Sequence, residues 1–336
     1  SGYITDKYNH KKPIAFLGYA TGLIDKIALL LASSWAGILV ARVIDRIGKG
    51  VRTAPRDVLV SESADKNKMG VSFGIHKALD MAGSAVGILI AYLLVAHSNG
   101  EFDYKKLFLI SAIPAVLGIF TLLTVKEKPQ TVHLKKREPF WKNMKLIDGN
   151  LKLYLLVTFL FTLGNSSNAF LLLRAKSIGF TDTSVVLLYL VYNLSAAFLS
   201  IPFGKLSDRI GRKKILVGGY LVFSAVYIGF AFASNSTVMI LVFILYGFYT
   251  AMISGAERAM IAEISPPHLK GTMLGLQSTI IGIALFPASV IAGFLWDAMG
   301  AQAPFLFGAA LSLVAAVMLI ILFNKNQKTA KKGALL

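Results

Sequence analysis

The chain lacks cysteine and is poor in charge. With no cysteine, disulfides and thiolate metal sites are excluded. The five histidines are scattered without an HxxxH pair, so we expect no metal site, and no cofactor either. Only 15% of the 336 residues are charged, whereas soluble domains average about 25%. Hydrophobic residues make up 55% of the chain, a composition that argues against a soluble fold.

Long apolar runs are what the sequence has instead. About 20 consecutive apolar residues span a bilayer as a helix, and lipid requires every backbone polar group to have an internal partner. The alternating pattern of a membrane β-barrel is absent. We therefore predict an all-α polytopic membrane protein with ten spans, at 13–32, 33–58, 70–96, 104–124, 151–174, 183–204, 214–233, 237–258, 271–295 and 303–324.

Positive charge is unevenly distributed along the chain. Lys and Arg number 35 against 17 acidic residues. If residues 1–12 are cytoplasmic, the cytoplasmic segments carry 23 of the Lys and Arg residues, the outer loops carry four, and eight lie inside spans. This asymmetry follows the positive-inside rule. It predicts a protein of the plasma (inner) membrane with both termini cytoplasmic, and it explains the basic composition without a nucleic-acid partner.

Two segments of the chain recur about two hundred residues later. "SGYITDKYNHKKPI" (1–14) matches "FGKLSDRIGRKKIL" (203–216) at an offset of 202, and "MGVSFGIH" (69–76) matches "KGTMLGLQ" (270–277) at an offset of 201. A repeat of this length indicates two homologous membrane halves in the same orientation. The predicted organisation is a four-span half, a charged cytoplasmic linker, a six-span half and a cytoplasmic tail, at 1–124, 125–150, 151–324 and 325–336.

These segments carry a family resemblance. "GKLSDRIGRKK" resembles the signature loop between the second and third helices of a half in the major facilitator superfamily, and "RVIDRIGKG" (42–50) has the frame of its fourth-helix motif. The "DR-GKG-R-APRD" pattern is similar to that of a prokaryotic branch. The resemblance implies a fold of two helical bundles with twelve spans. Because only ten are present, we expect a fragment lacking the first two helices, a natural ten-span protein being the alternative.

The fourth-helix motif opens a charged stripe at 42–57. On a helix, its seven charged side chains fit a sector of about 140°, opposite an apolar face, as in a membrane helix that hides charge from lipid. Neither a P-loop motif nor a preceding strand is present. Four of these residues lie deepest and would line a water-filled substrate cavity or clamp helices together: Arg42, Asp45, Arg46 and Lys49. Gly48 and Gly50 are expected to allow close helix packing.

Other polar residues within spans are candidates for the same cavity. Asp80 lies about 15 Å into its span and would carry a proton or pair with Arg42 or Arg46. In the second half, "GNSSN" (164–168) and one face of the eighth span supply Asn165, Asn168, Tyr246, Tyr249 and Glu257, for which bonding between helices is the alternative. For Asp25 and Lys26, deep in the first span, a bend or a short pairing is the simplest interpretation.

The signature loop suggests a conformational latch. Asp208 follows the sixth span and is itself followed by cations, an arrangement that could hold one bundle conformation and release another. Plain positive-inside anchoring explains the lysines but not the acid. The residues assigned to the latch in the two copies of the loop are Asp6, Lys7, Gly204, Asp208, Arg209, Arg212 and Lys213.

The resulting prediction is a secondary active transporter, not an enzyme, because no nucleophile–base pair or metal cluster is present. It would act as a monomer in the lipid bilayer and move a small solute by alternating access. The cationic stripe favours an anionic solute, and Asp80 suggests coupling to protons. The alternatives are efflux of drugs or cations and, from another class, a channel or lipid-moving protein on the same fold.

Overall fold

The computed structural model describes residues 1–8, 10–96, 104–127 and 149–333. Within these ranges the chain forms helices, turns and no strand. The predicted linker at 125–150 and tail at 325–336 lie largely or partly outside the described residues. In chain order the α-helices are α1 (Gly2–Tyr8), α2 (Lys11–Leu31), α3 (Trp35–Ser63), α4 (Met69–Ala96), α5 (Tyr104–Thr124), α6 (Gly149–Gly164), α7 (Asn168–Ser177), α8 (Asp182–Ile210), α9 (Arg212–Phe232), α10 (Ser236–Ile264), α11 (Lys270–Met299) and α12 (Ala303–Gly333).

The helical membrane fold is confirmed, whereas the count of ten spans is not. Nine segments of the described chain are long and apolar enough to cross a membrane. The remaining predicted span is α3, which has 29 residues, as many as α8. Its eight charged residues set it apart in composition from the other nine. Several helices also continue past their apolar runs, because polar residues can extend a helix beyond the lipid.

The fifth predicted span is broken, which the apolar pattern did not indicate. The break covers 165–167, between α6 and α7. The Asn165 backbone N–H still bonds to the carbonyls of Phe161 and Thr162, which closes α6. Ser167 then caps α7, its hydroxyl accepting from the Ala169 N–H at 3.3 Å. Serine and asparagine compete with the helical backbone for hydrogen bonds, and this competition favours a break.

Packing divides the chain into two compact units. The first comprises the described parts of 1–65, 86–140 and 261–278, and the second those of 66–85, 141–260 and 279–336. In the first unit α2 packs against α3 and α5. In the second, α12 packs against α9 and α6. The boundaries of the two repeated halves, at 124 and 151, stay a prediction.

Glycines set the crossing of α2 and α3. A Cβ on Gly18 would lie 2.6 Å from the Arg52 Cβ and 2.8 Å from the Gly48 carbonyl oxygen, and one on Gly48 would overlap the Thr21 side chain. The predicted packing role of Gly48 is therefore correct. Nothing lies within 4 Å of a Cβ built on Gly50, so the same prediction was wrong for that residue.

Candidate functional site

The break between α6 and α7 carries a hydrogen-bonded polar cluster in the second unit. The Asn165 amide donates to the Tyr249 hydroxyl at 3.2 Å, and its Oδ1 accepts from the Tyr227 hydroxyl at 3.3 Å. Both tyrosines are buried. The break therefore directs the Asn165 amide toward these tyrosines, a direction that a continuous helix would not give it.

Asn168, at the start of α7, repeats this arrangement. Its amide donates to the Tyr189 hydroxyl at 3.4 Å, and its Oδ1 accepts from the Tyr246 hydroxyl at 2.9 Å. The rings of Tyr246 and Tyr249 lie 5.4 Å apart and join the two halves of the cluster. We call this cluster the Asn–Tyr network: Asn165, Asn168, Tyr189, Tyr227, Tyr246 and Tyr249. Its uncharged amides and phenols can both donate and accept hydrogen bonds.

Glu257 lies on the same helix as Tyr246 and Tyr249, about two turns beyond Tyr249. Its Oε1 accepts from the Tyr220 hydroxyl at 3.4 Å. The Tyr154 ring is buried nearby and interacts electrostatically with Glu257. Glu257 also interacts electrostatically with Tyr249, a member of the Asn–Tyr network, so the two polar groups adjoin each other.

The deep charged residues of α3 lie in the first unit. Arg42, Arg46 and Lys49 are exposed, and Asp45 is half-buried. Among the described residues, no carboxylate lies within ion-pair distance of Arg42 or Arg46. The exposed apolar residues Val40, Val43 and Ile47 lie on the same helix and suit contact with lipid.

The C-terminal half of the stripe contacts other protein groups. Arg56 pairs with Asp57 at 2.9 Å. Arg52 donates to the Gly18 carbonyl at 3.3 Å and lies over the Tyr19 ring, 5.0 Å from its centre. The C-terminal end of α3 is thus held by contacts with protein, whereas its N-terminal half carries the exposed cations.

Asp80, on α4 in the second unit, is exposed and pairs with Lys77 at 3.2 Å. This ion pair lies within α4, whereas the partners expected from the sequence were Arg42 and Arg46 on α3. Asp80 also interacts electrostatically with Tyr192. The ring of Tyr192 is 5.0 Å from that of Tyr246, so Asp80 lies near the Asn–Tyr network.

Asp208 caps the start of α4. Its Oδ1 accepts from the Gly70 N–H at 2.8 Å, and its Oδ2 accepts from the Val71 N–H at 2.9 Å. Arg212 pairs with the same carboxylate at 3.2 Å. The expected ionic contact is therefore present, but the carboxylate mainly holds the N-terminal amides of a helix, which favour negative charge.

Asp6 caps the start of α11 in the same way within the first unit. Its Oδ1 accepts from the Gly271 N–H at 3.0 Å, and its Oδ2 accepts from the N–H and hydroxyl of Thr272, both at 2.6 Å. The partners of Asp6 and Asp208 are thus matched segments of the repeat. Each copy of the loop caps a helix from the other copy.

Glycine permits both caps. A Cβ on Gly204 would meet the Gly70 carbonyl oxygen at 2.5 Å, and one on Gly271 would meet the Gly2 carbonyl oxygen at 2.8 Å. Gly204 therefore lies at the Asp208 cap, and its role in a latch stays a prediction. Three further cations were assigned to the latch from the sequence, and all three are exposed: Lys7, Arg209 and Lys213.

Sequence reasoning missed Tyr189 and Tyr227, which complete the network. A signal was available on α9, where Tyr220, Phe223, Tyr227 and Phe230 recur at a helical spacing that places them on one face. The break between α6 and α7 determines which of these tyrosines contact an asparagine. That break was not predicted. Within the described residues, no group of three or more potential metal ligands occurs.

Comparisons with known proteins agree with this architecture. The family model described as Major Facilitator Superfamily matches residues 1–156 and 153–335. An uncharacterized MFS-type transporter of Methanocaldococcus jannaschii, MJ1317, is 37% identical over 327 residues, which cover 96% of this chain and 81% of the relative. The quinolone resistance protein NorA of Staphylococcus aureus is 31% identical over 158 residues, covering 47% of this chain and 40% of NorA.

Solved structures share the fold at low sequence identity. The human organic anion transporter MFSD10 (TETRAN) matches with a TM-score of 0.78 at 18% identity, covering 95% of this chain and 79% of its own. The proton:xylose symporter XylE matches with a TM-score of 0.77 at 15% identity, covering 95% and 81%.

Proposed function

The chain belongs to the major facilitator superfamily, and from that premise we propose that it carries a small anionic solute across the membrane by alternating access. Family membership supports the coarser statement that it is a secondary transporter of the membrane. The solute, its charge and its coupling go beyond family membership and are proposals. We further propose residence in the plasma membrane as a monomer with both termini cytoplasmic.

The proposal of an anionic solute rests on the exposure and the pairing of Arg42 and Arg46. A cation inside a membrane span is expensive unless it is paired or faces water. Both arginines are exposed, and no described carboxylate lies within ion-pair distance of either. Arg42 lies about 11 Å from the outer end of α3 at 1.5 Å per residue. An anionic solute in a water-filled cavity would supply the missing negative charge.

The Asn–Tyr network is the proposed polar contribution of the second unit. A discontinuous membrane helix commonly forms part of a transporter's solute site, because its break exposes polar groups at membrane depth. Asn165, Asn168, Tyr246 and Tyr249 would orient the solute by hydrogen bonds without adding charge. Asp45 and Lys49 complete the proposed cavity on α3.

The two aspartate caps are the proposed latch for alternating access. Each carboxylate contacts the first turn of one helix through hydrogen bonds that can be broken and remade without disrupting a hydrophobic core. Such contacts stabilise one conformation over another by a modest amount, as a reversible cycle requires.

Arg46→Gln tests the anionic solute. Purified protein would be screened by thermal shift against benzoate, citrate, phosphate and organic cations, and the best anion titrated by calorimetry. Arg46→Gln should weaken anion binding about tenfold and reduce its sensitivity to salt, because one charge contact is lost. Arg52→Gln is the matched control on the same helix, expected to lower stability and leave affinity unchanged. Unchanged affinity in Arg46→Gln, with lower stability, would leave only a structural role.

Efflux of amphipathic cations is the second candidate. The similarity to NorA covers under half of each chain. Asp80 is exposed, so its carboxylate would attract a cation. Stabilisation by cations in the same screen, lost in Asp80→Asn, would favour this candidate. Saturable, gradient-dependent flux in proteoliposomes would separate either carrier from a channel or lipid-moving protein.

A further inference from the structure

Lys77 and Asp80 form an ion pair partway along a candidate membrane span on α4. The Lys77 Nζ lies 3.2 Å from the Asp80 Oδ2. At 1.5 Å per residue, the two positions lie about 12 and 17 Å from the start of the span Met69–Val95. Nevertheless, 22% of the lysine side chain and 52% of the aspartate side chain are exposed. Charge that is exposed at such a depth requires water beside it rather than lipid.

α4 has two exposed faces of different character. Ile75 and Leu79 lie one turn apart on the first face, and both are exposed apolar residues that suit contact with lipid. Asp80 and Ser84 lie one turn apart on the second face, and both are exposed polar residues. A Cβ built on Gly83, next to Ser84, would meet no atom of the described chain within 4 Å. The polar face therefore has open space beside it, as the wall of a water-filled cavity requires.

The Lys77–Asp80 contact contributes little to stability. The two residues are three positions apart on one helix, and exposed pairs of this kind stabilise a helix only slightly. By contrast, Lys26 pairs on α2 with Asp25, whose side chain is fully buried and therefore closed to a solute. Because the Lys77–Asp80 pair is both weak and open, each of its members can exchange its partner for a charge on a solute at little cost.

Tyrosine rings of the second unit lie near the same carboxylate. Asp80 interacts electrostatically with Tyr192 on α8, and both residues belong to that unit. The Tyr192 ring is 5.4 Å from the ring of Tyr189. Tyr189 is only half-buried, so part of its side chain stays accessible. The face of a tyrosine ring attracts an ammonium group, and a carboxylate close by adds to that attraction.

An acid, a base and an aromatic surface together match the charged end of an amino acid. We propose that this part of α4 and α8 binds an amino acid, with Asp80 and Tyr189 holding its ammonium group and Lys77 holding its carboxylate. The assignment deepens the proposed function and rests on it for the second acidic group: an anionic solute with such an end is an acidic amino acid. Binding of the charged end does not depend on that function.

The exchange keeps every charge paired. The solute ammonium replaces Lys77 at the Asp80 carboxylate, and the solute carboxylate replaces Asp80 at the Lys77 ammonium. A solute that carries only one of the two charges would satisfy one side chain and displace the other from its ion pair. The site therefore discriminates against simple carboxylates and against simple amines.

Matched ligands test the assignment by calorimetry on purified protein. The probes are glutamate, glutarate, which lacks the amino group, and N-acetylglutamate, in which that group is uncharged. Glutamate should bind at least about tenfold more tightly than the other two, because it alone satisfies both side chains. Asp80→Asn should abolish this preference. Asp182→Asn is the matched control and should retain it, because Asp182 pairs with Lys176 at an exposed position at the start of α8.

A second ligand pair, alanine and propionate, separates this site from the anionic solute. Preference for alanine over propionate, without binding of glutamate, would keep the amino-acid site and reject the anionic solute. Equal affinities for glutamate and glutarate, both lowered in Arg46→Gln, would keep the anionic solute and overturn the amino-acid site. Failure of both amino acids to bind native protein would likewise overturn it.

Single-cysteine reactivity tests the water-filled face, because the chain lacks cysteine. A charged methanethiosulfonate reagent would be supplied on both sides of proteoliposomes. Ser84→Cys should react with it, and glutamate should slow the reaction severalfold by occupying the site one turn away. Leu79→Cys is the control on the apolar face, where 69% of the leucine is exposed, and it should stay unreactive. Equal reactivity at the two positions, or no protection of Ser84→Cys by glutamate, would contradict the proposal.

Discussion

A single side chain closes the C-terminal end of α9. The last carbonyls of a helix have no partner within the helix. The Arg174 guanidinium, on α7, donates to the carbonyls of Phe230 at 2.9 Å and of Ala231 and Ala233 at 3.0 Å. Only 8% of Arg174 is exposed. A cation at a helix C-terminus also interacts favourably with the helix dipole.

Replacing Arg174 with methionine should therefore destabilise the fold by about 3 kcal/mol, since buried carbonyls lose charged donors. Denaturant unfolding in detergent measures the effect. Lys176→Met is the matched control on the same helix, because Lys176 pairs with Asp182 at an exposed position and should contribute less than about 1 kcal/mol. Equal losses in the two variants would contradict the role given to Arg174.

At the scale of helices, the α2–α3 crossing provides an internal comparison between two glycines. Gly48→Ala should lower the free energy of unfolding by about 1–3 kcal/mol, because its methyl group would overlap Thr21 and force the helices apart. Gly50→Ala should be neutral or slightly stabilising, since its Cβ meets nothing within 4 Å and alanine favours the helix. Thermal unfolding measures both. A larger loss for Gly50→Ala would show that the crossing is elsewhere.

The caps on α4 and α11 lead to a prediction about rate. Asp208→Asn removes the negative charge that faces the amides of Gly70 and Val71. We expect a shift of about 1 kcal/mol in the balance of conformations, and slower flux in proteoliposomes with near-normal expression. Asp182→Asn, at an exposed outer position, is the control. Full transport in Asp208→Asn would leave only the anchoring interpretation of the loop.

The sequence predicted best those features that are determined by residues close to one another in the chain. Apolar runs identified the spans, because burial in lipid requires about 20 residues of one kind. The repeat identified both the capping loops and the helix starts that they contact, but not that each loop caps the other copy's helix. The break at 165–167 was missed because hydropathy does not register it.

At the scale of the whole molecule, charge predicts orientation. The apolar spans are similar in composition towards either side of the membrane. Hydropathy alone therefore does not show which end of each span is cytoplasmic. The division of Lys and Arg, 23 in one set of loops and four in the other, supplies it. It predicts that the loop with Lys205 and Arg209 is cytoplasmic and that the turn at Thr181 is outside. Reversal would put the capping loops and the many cations around them on the outer face.

Single-cysteine labelling tests this orientation in the cysteine-free chain. In sealed right-side-out vesicles, a membrane-impermeant maleimide should modify Thr181→Cys at once. It should modify Lys205→Cys only after the vesicles are opened. Both positions are exposed, so access within the protein does not decide the result. Labelling of Lys205→Cys from outside would overturn the topology. It would also move the proposed latch to the outer face, because Asp208 lies one turn from Lys205 on α8.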